Sequence, residues 1–435
     1  MKISKVLFPF LFWIFLSNQS IVFAQKNTLF EKATQLVAQT QYSEAIQTIN
    51  QFLDTNSIDP IQNKIEAYNL LGRFYGPTKF NKIDSSLHYF KKSLELAEQH
   101  ANDEAIAKNS QDLGILYFRL QEYEKSLPFL KHSIQIYTDF QDHKNAARGI
   151  SILSYVYLKK RNYHKALLYQ QQSIKTLEQY LPKDHYFITD AKHNLGAIHS
   201  KLQNHREAID YILTTYEIYK KGDHKDFTNQ IALDLGFLYQ TFNKHDSALY
   251  YAQIVLDQCS LEDHYNLTWV YSIKHEVAAK EKDFDNALKY GTTTIYHALQ
   301  EFGPRSPEVA YSYFYISNIY KEQSQWDTAL SYIQKALIAN HQTFADSSLS
   351  KNPLLTGAFS TEYQLLFLEY KAECLHQLYK EVQNKDALRE SENVFLTAIS
   401  MIDSLRQEYQ VPQNLLIQRE LRIRTRNKRL ICKVL

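Results

Sequence analysis

The chain has 435 residues with 49 basic and 47 acidic side chains, ten Gly, nine Pro, 32 Tyr and 24 Phe. That length holds about two or three ordinary domains or one long array, and a chain poor in turn residues and rich in helix-spaced aromatics reads as all-helical. Residues 25–418 carry 40 basic and 46 acidic groups, and this net charge of −6 argues against a nucleic-acid-binding surface.

The first predicted element is a leader. In residues 1–24, Lys2 and Lys5 form a basic start, Val6 to Leu16 is apolar, and Val22-Phe23-Ala24 ends on a small residue. This pattern predicts a secretory signal peptide cleaved before Gln25, and therefore an exported protein, periplasmic or secreted. The uninterrupted apolar run is 11 residues, short of the roughly 20 a membrane anchor needs. No Cys follows Ala24 to receive a lipid, and no later stretch is apolar enough to span a bilayer. Stable membrane insertion after cleavage is therefore not expected. Cys259, Cys374 and Cys432 are widely spaced with no CxxC, so the first two read as buried helix-face thiols and packing, not disulfides, holds the chain together.

From Phe30 onwards the same two-helix pattern recurs. Its clearest copy is Val309 to Ala339, where Tyr313, Ile316, Ser317 and Tyr320 share one helix face and Ala329, Leu330, Ile333, Ala336 and Leu337 share another. Ser317 and Ala329 are small and twelve residues apart, which lets two helix axes approach to about 8 Å. The same spacing of twelve joins Ala33 to Ala45, Gly114 to Ser126, Ser154 to Ala166, Gly196 to Ala208 and Gly236 to Ala248. Gly72 with Ser86 fits if the turn at Gly76-Pro77 adds two residues. His275 with Ala287 keeps the spacing but loses the small residue, which predicts looser packing. Ala372 with Ser391 predicts a turn stretched through Val382–Lys385. Tyr75, Tyr117, Tyr157, Tyr239 and Tyr320 each follow the first small site by three residues. Four of the ten glycines fall on that one site. A helical Gly costs about 1 kcal/mol against Ala, so close packing is the expected compensation. A pair this short encloses no core of its own, so repetition is required.

These residues resemble the tetratricopeptide repeat (TPR) family, whose hallmark is small–aromatic–small spacing on paired helices. The resemblance spans roughly residues 26–403 and implies an all-α fold, an α-α superhelix (solenoid) of about nine TPR-like helix pairs. The small sites step by 39 to 42 residues, so the units are lengthened to roughly 40 residues against the 34 of a plain TPR. Longer units of this kind are similar to the kinesin-light-chain type of TPR, as is the connector Phe302 to Ala310. The expected domains are the leader 1–24, the repeat array 25–405 and a basic tail 406–435. Near the end, Asp346, Asn352-Pro353, Lys371-Ala372-Glu373, Leu378-Tyr379 and the stretch Ala398-Ile399 to Asp403-Ser404-Leu405-Arg406 resemble the TPR region of bacterial CHAT-domain proteins. In that family a caspase-like cysteine peptidase follows the repeats. The chain stops about thirty residues later, and none of its cysteines has a nucleophile context, so no catalytic residue carries over. One alternative reading is thus the recognition half of a truncated CHAT-type peptidase.

Chemistry-bearing motifs are missing. There is no GxGxxG, P-loop, GxSxG or HExxH, since His275-Glu276 is followed by Val-Ala-Ala. His193, His199 and His205 are six apart, which on a helix does not converge on one ion; they read as a groove residue, a core substitute and a turn residue. Asp283 and Asp285 lack the Gly and Glu of a calcium loop and read as the start of a second helix. No catalytic, cofactor or metal residues are expected, and the chain reads as a non-enzyme.

In a TPR superhelix the first helix of each pair lines the concave groove. The resemblance then points to Gln111, Arg119, Arg148, Tyr155, Lys159, His193 and Lys201, a basic and aromatic set. It implies an anionic protein or peptide partner held by charge-assisted hydrogen bonds, with no nucleic acid. The spacing sets no oligomeric state. Arg422, Arg424, Arg426, Lys428 and Arg429 in the tail read as a solvated end. The reading that results is an exported module for protein–protein interaction. The second alternative is the sensor part of an envelope signalling system.

Overall fold

The computed structural model describes residues 29–408 apart from 55–59, 78, 81, 184, 223–224 and 355. The predicted leader, and the tail from 409 onwards, lie outside the described residues. The fold is all-α: eighteen helices in nine consecutive pairs among the described residues, in two compact units that divide between residues 223 and 224.

The N-terminal unit pairs α1 (Leu29–Ala38) with α2 (Tyr42–Asp54), α3 (Ile61–Tyr75) with α4 (Ile83–Gln99), and α5 (Asp103–Arg119) with α6 (Tyr123–Asp139). It continues with α7 (His143–Lys159) and α8 (Tyr163–Tyr180), then α9 (Tyr186–Lys201) and α10 (His205–Lys221). The C-terminal unit pairs α11 (Lys225–Thr241) with α12 (His245–Leu256), and α13 (His264–Lys280) with α14 (Phe284–Phe302). Its last two pairs are α15 (Pro307–Glu322) with α16 (Trp326–Ala339), and α17 (Thr361–Val382) with α18 (Lys385–Glu408).

The small sites face each other, and hydroxyls add a bond there. Ser126 Oγ donates to the Gly114 carbonyl (2.6 Å), Ser154 Oγ to Ala166 (2.7 Å), Ser317 Oγ to Ala329 (2.8 Å) and Ser86 Oγ to Gly72 (2.6 Å). A backbone carbonyl reached this way cannot lie behind a large side chain, so small residues and serine hydroxyls are two solutions to one geometry. Three residues further along each helix, rings stack: Tyr75 on Tyr89, Tyr117 on Phe129, Tyr157 on Tyr169, Tyr239 on Tyr251 and Tyr320 on Tyr332. His199 stacks on Tyr211 at 5.6 Å in the tyrosine's place, which is the core substitution expected of it.

Two expectations are corrected. The His275 pair is not loosened, because His275 is 2% exposed and its Nδ1 lies 2.7 Å from the Ala287 carbonyl, doing what the serine hydroxyls do. A carbonyl only accepts, so Nδ1 carries the proton. Room for the ring comes from Gly291, where a Cβ would stand 2.9 Å from that Nδ1 and 2.6 Å from Ile316 Cδ1. The Ala372–Ser391 pair does not have a stretched turn. Only Gln383 and Asn384 separate α17 from α18, and the two helices are 22 and 24 residues long. One extra turn on each of two antiparallel helices adds about seven residues between the sites and restores their facing, so Ser391 Oγ still donates to Ala372 O at 2.8 Å.

The turn inside a pair is also repeated. Gln121, Arg161, Gln203, Asn243, Lys282 and Ser324 all adopt left-handed backbone with φ between 56° and 62°. The next residue's N–H then returns to the helix, as from Asp283 to Ala278 O at 2.9 Å. Asp283 caps α14 by accepting from Asn286 N at 3.2 Å. Left-handed backbone strains a residue with a Cβ, and Lys282 is exposed. Lys282→Gly is therefore expected to stabilise the C-terminal unit by about 0.5–1 kcal/mol, read as a higher urea midpoint at unchanged m-value.

The connector between α16 and α17 is held from inside. Lys371, 0% exposed, donates to Gln334 Oε1 (2.7 Å), Asn352 Oδ1 (2.9 Å) and the Lys351 carbonyl (3.0 Å). Burial draws its amine down to about 7, while three acceptors match the three donors of the ammonium form. Arg305 Nη1 adds bonds to the carbonyls of His341 (2.6 Å) and Phe344 (2.9 Å). Lys371 and Asn352, read from the sequence as part of a family signature, are here the bolts of a loop.

Candidate peptide-binding site

In the N-terminal unit the first helices α3, α5, α7 and α9 present successive faces, and α3 and α5 are joined there by a polar ladder. Asn69 Nδ2 donates to Asn109 Oδ1 (2.9 Å) and Asp112 Oδ2 (2.8 Å), and Arg73 grips both Asp112 oxygens at 2.8–3.2 Å. Lys108 pairs with Glu66 at 3.1 Å one turn away. Asp112 is buried, and its charge is fully used by Arg73 and Asn69.

The two other arginines of this face are not neutralised. Arg119 and Arg148 are half-buried, and among the described residues neither forms an ion pair. Burial is the main influence on both, disfavouring their charged forms; Asp112 opposes it in each case, and Tyr186 and Tyr137 also oppose it at Arg148. Arg148 Nη1 donates to Asn145 Oδ1 at 3.1 Å, and its guanidinium lies 4.7 Å from the centre of the Phe187 ring. A guanidinium stays charged in such a place, so the face keeps two partly desolvated cations that still have free donors.

The other expected residues divide into two groups. Tyr155 packs on Phe118 at 5.3 Å and carries the Lys159 ammonium 5.2 Å from its ring centre, so these two form one aromatic and cationic patch on α7. His193 is half-buried on α9 and lies near the Asp190 carboxyl; Lys201 is exposed at the end of the same helix. Gln111 does not open onto the face. It is 6% exposed, and its Nε2 would lie 3.3 Å from a Cβ on Gly149 of α7. The site three residues before the small one is covered there by the next unit's first helix.

Asn69, Arg73, Asn109, Asp112 and Asp190 also belong to this face and escaped the sequence reading. Acids are therefore present here beside the basic and aromatic set expected from the sequence. The visible signal was Asn109 and Asp112, three apart on one helix side. Asp190 is 8% exposed, accepts from the Tyr219 hydroxyl, and is pushed up to about 7 by burial, with the Tyr219 bond and His193 opposing.

No metal-holding group of three His, Cys, Asp or Glu occurs among the described residues. Both described cysteines are pushed up by burial, Cys259 to about 12 and Cys374 to about 11, the reverse of what a nucleophile needs. No described helix is long and apolar enough to cross a membrane.

Helix pairs closed by a small–small contact, with stacked rings three residues on, define a helical-repeat protein. The tetratricopeptide-repeat family matches the repeats of residues 103–179 and 187–259. No curated protein sequence matches the chain. Among solved structures, the apo form of RapI is similar with a TM-score of 0.51 at 14% identity, over 62% of this chain and 97% of that one. Aspartyl phosphate phosphatase F from Bacillus subtilis is similar at a TM-score of 0.50 and 12% identity, over 88% of this chain and 96% of that one. A STAND signal-transduction ATPase with a tetratricopeptide repeat sensor from Pyrococcus horikoshii is similar at a TM-score of 0.53 and 14% identity, over 88% of this chain. The chain spans 54% of that protein's length. At such identities the likeness is one of fold.

Proposed function

We propose that this chain is an exported, non-enzymatic adaptor that binds an extended protein or peptide segment along the first-helix face of its N-terminal unit. Tetratricopeptide repeats are protein-interaction modules and are generally non-catalytic. The observation that carries the finer reading is the pair Arg119 and Arg148. Both are partly desolvated beside a carboxylate that Arg73 already occupies, so an incoming acidic group meets donors that no carboxylate among the described residues engages. Charge-assisted bonds of this kind contribute about 1.5–3 kcal/mol each. Tyr155 and Phe118 offer apolar surface beside them.

The test is a titration of the full chain with acetylated decapeptides that alternate acidic and apolar residues, against basic counterparts. The acidic set is expected to bind more tightly, with affinity falling as salt rises. Arg148→Glu and Arg119→Glu are each expected to weaken it at least tenfold, the equivalent of about 1.4 kcal/mol. Equal binding by wild type and both variants would remove the proposal. Export is tested separately by sequencing the N-terminus of protein recovered from the envelope or medium, which is expected to begin at Gln25.

A further inference from the structure

The C-terminal unit holds a different kind of site. Between α13, α15 and α17 lies a cavity of about 60 Å³ walled by Trp269, Tyr311, Tyr315 and Tyr363, with Glu308 at its edge. On that measure a water needs about 10–15 Å³, so the space takes the end of a long side chain and not a whole residue. Tyr311 meets Tyr315 edge-on at 4.9 Å and lies tilted against Tyr363 at 4.9 Å, which sets ring faces and edges around one volume. No Lys, Arg or His lines it.

The charge that lines the cavity is negative. The Glu308 carboxylate is half-buried and makes no ion pair or hydrogen bond among the described residues. A first-turn acid on α15 has a helix-dipole explanation, but the dipole does not account for four aromatic walls beside it. Glu276 lies behind Tyr315, its carboxyl raised by burial with Lys280 and Tyr315 opposing. After burial, the influences on Tyr311 and Tyr363 are carboxylates and other tyrosines, all pushing their hydroxyls up, and no cation offsets them.

We infer that this cavity is a binding site for a cationic side chain, the ammonium end of a lysine in an extended protein segment, held by the faces of Trp269, Tyr311 and Tyr363 and by the Glu308 carboxylate. Aromatic faces attract a cation through their quadrupoles, most strongly for Trp and more so when water is excluded. A carboxylate that has no internal partner supplies the counter-charge. The inference rests on reading the chain as a binding module, but it uses no residue of the arginine face, and its test does not pass through that face.

The test uses the full chain labelled with 5-fluorotryptophan, the Trp269 resonance being assigned by its loss in Trp269→Phe. Three acetylated Gly-Ser hexapeptides are titrated, carrying one central lysine, norleucine or glutamate. The lysine peptide is expected to move the Trp269 signal saturably, at least tenfold more tightly than the norleucine peptide, and the glutamate peptide to leave it in place. Glu308→Gln is expected to weaken the lysine peptide about tenfold without changing norleucine binding. Tyr363→Ala, on a different helix, is expected to weaken it about fivefold and covers the case in which the α15 variant unfolds. Equal affinity for lysine and norleucine, or a Trp269 signal that no peptide moves, would overturn the inference. Arg119→Glu and Arg148→Glu are expected to leave this readout unchanged, so failure here and failure of the proposed function are told apart.

Discussion

Gly114→Val is expected to destabilise the N-terminal unit by about 3 kcal/mol, the upper part of the range for an overfilled core. A Cβ at Gly114 would stand 2.7 Å from Leu130 Cγ and Cδ2 and 3.2 Å from the Leu130 backbone nitrogen. The side chain of Leu130 is fully buried and the nitrogen belongs to α6, so neither yields without separating the helices. Separation also breaks the 2.6 Å bond from Ser126 Oγ to the Gly114 carbonyl. The companion variant Gly114→Ala isolates the cause. In an ordinary helix that change stabilises by about 1 kcal/mol; here it is expected to destabilise. Urea unfolding followed by circular dichroism reads both, and a stabilised Gly114→Ala would show that the close approach does not govern this pair.

The second large effect is a pH dependence centred on Asp190. Its carboxyl is raised from 3.8 to about 7, with burial the largest cause and the Tyr219 hydrogen bond and His193 opposing. Between these values the folded chain holds a proton that the unfolded chain releases. This contribution to stability is therefore present below about pH 4 and is lost as pH rises through 7. At 1.36 kcal/mol per pKa unit its full size is about 4 kcal/mol. Asp190 Oδ2 is buried without a hydrogen-bond partner, which is tolerable for a neutral acid and costly for an anion. Asp190→Asn imitates the neutral acid in shape. The variant is expected to exceed wild type by less than about 1 kcal/mol at pH 4, by roughly 2 kcal/mol at pH 5 and by about 4 kcal/mol at pH 8.5. The difference between the two proteins matters more than either curve, because His193 and Tyr186 face the same group in both. A difference that stays constant from pH 5 to 8.5 would show that Asp190 is ionised throughout.

Much of this molecule was legible along the chain because its organising contact is local. A spacing of twelve between small residues reports one helix, one tight turn and a second helix, and the ring three residues later reports which face the pair buries. These features need only the helix period and the absence of a Cβ, and both are written in consecutive residues. The repeat class, the nine pairs and the stacking role of His199 follow from them. What tertiary structure decided is everything that depends on how one pair lies on the next. Gly291 makes room for Ile316 of the following pair, and Gln111 is covered by the first helix of the pair after its own. Arg73 finds Asp112 thirty-nine residues away. The aromatic cavity draws Trp269, Tyr311 and Tyr363 from three first helices. The rotation between successive pairs sets those distances, and it is the sum of many side-chain volumes, with no single residue that announces it.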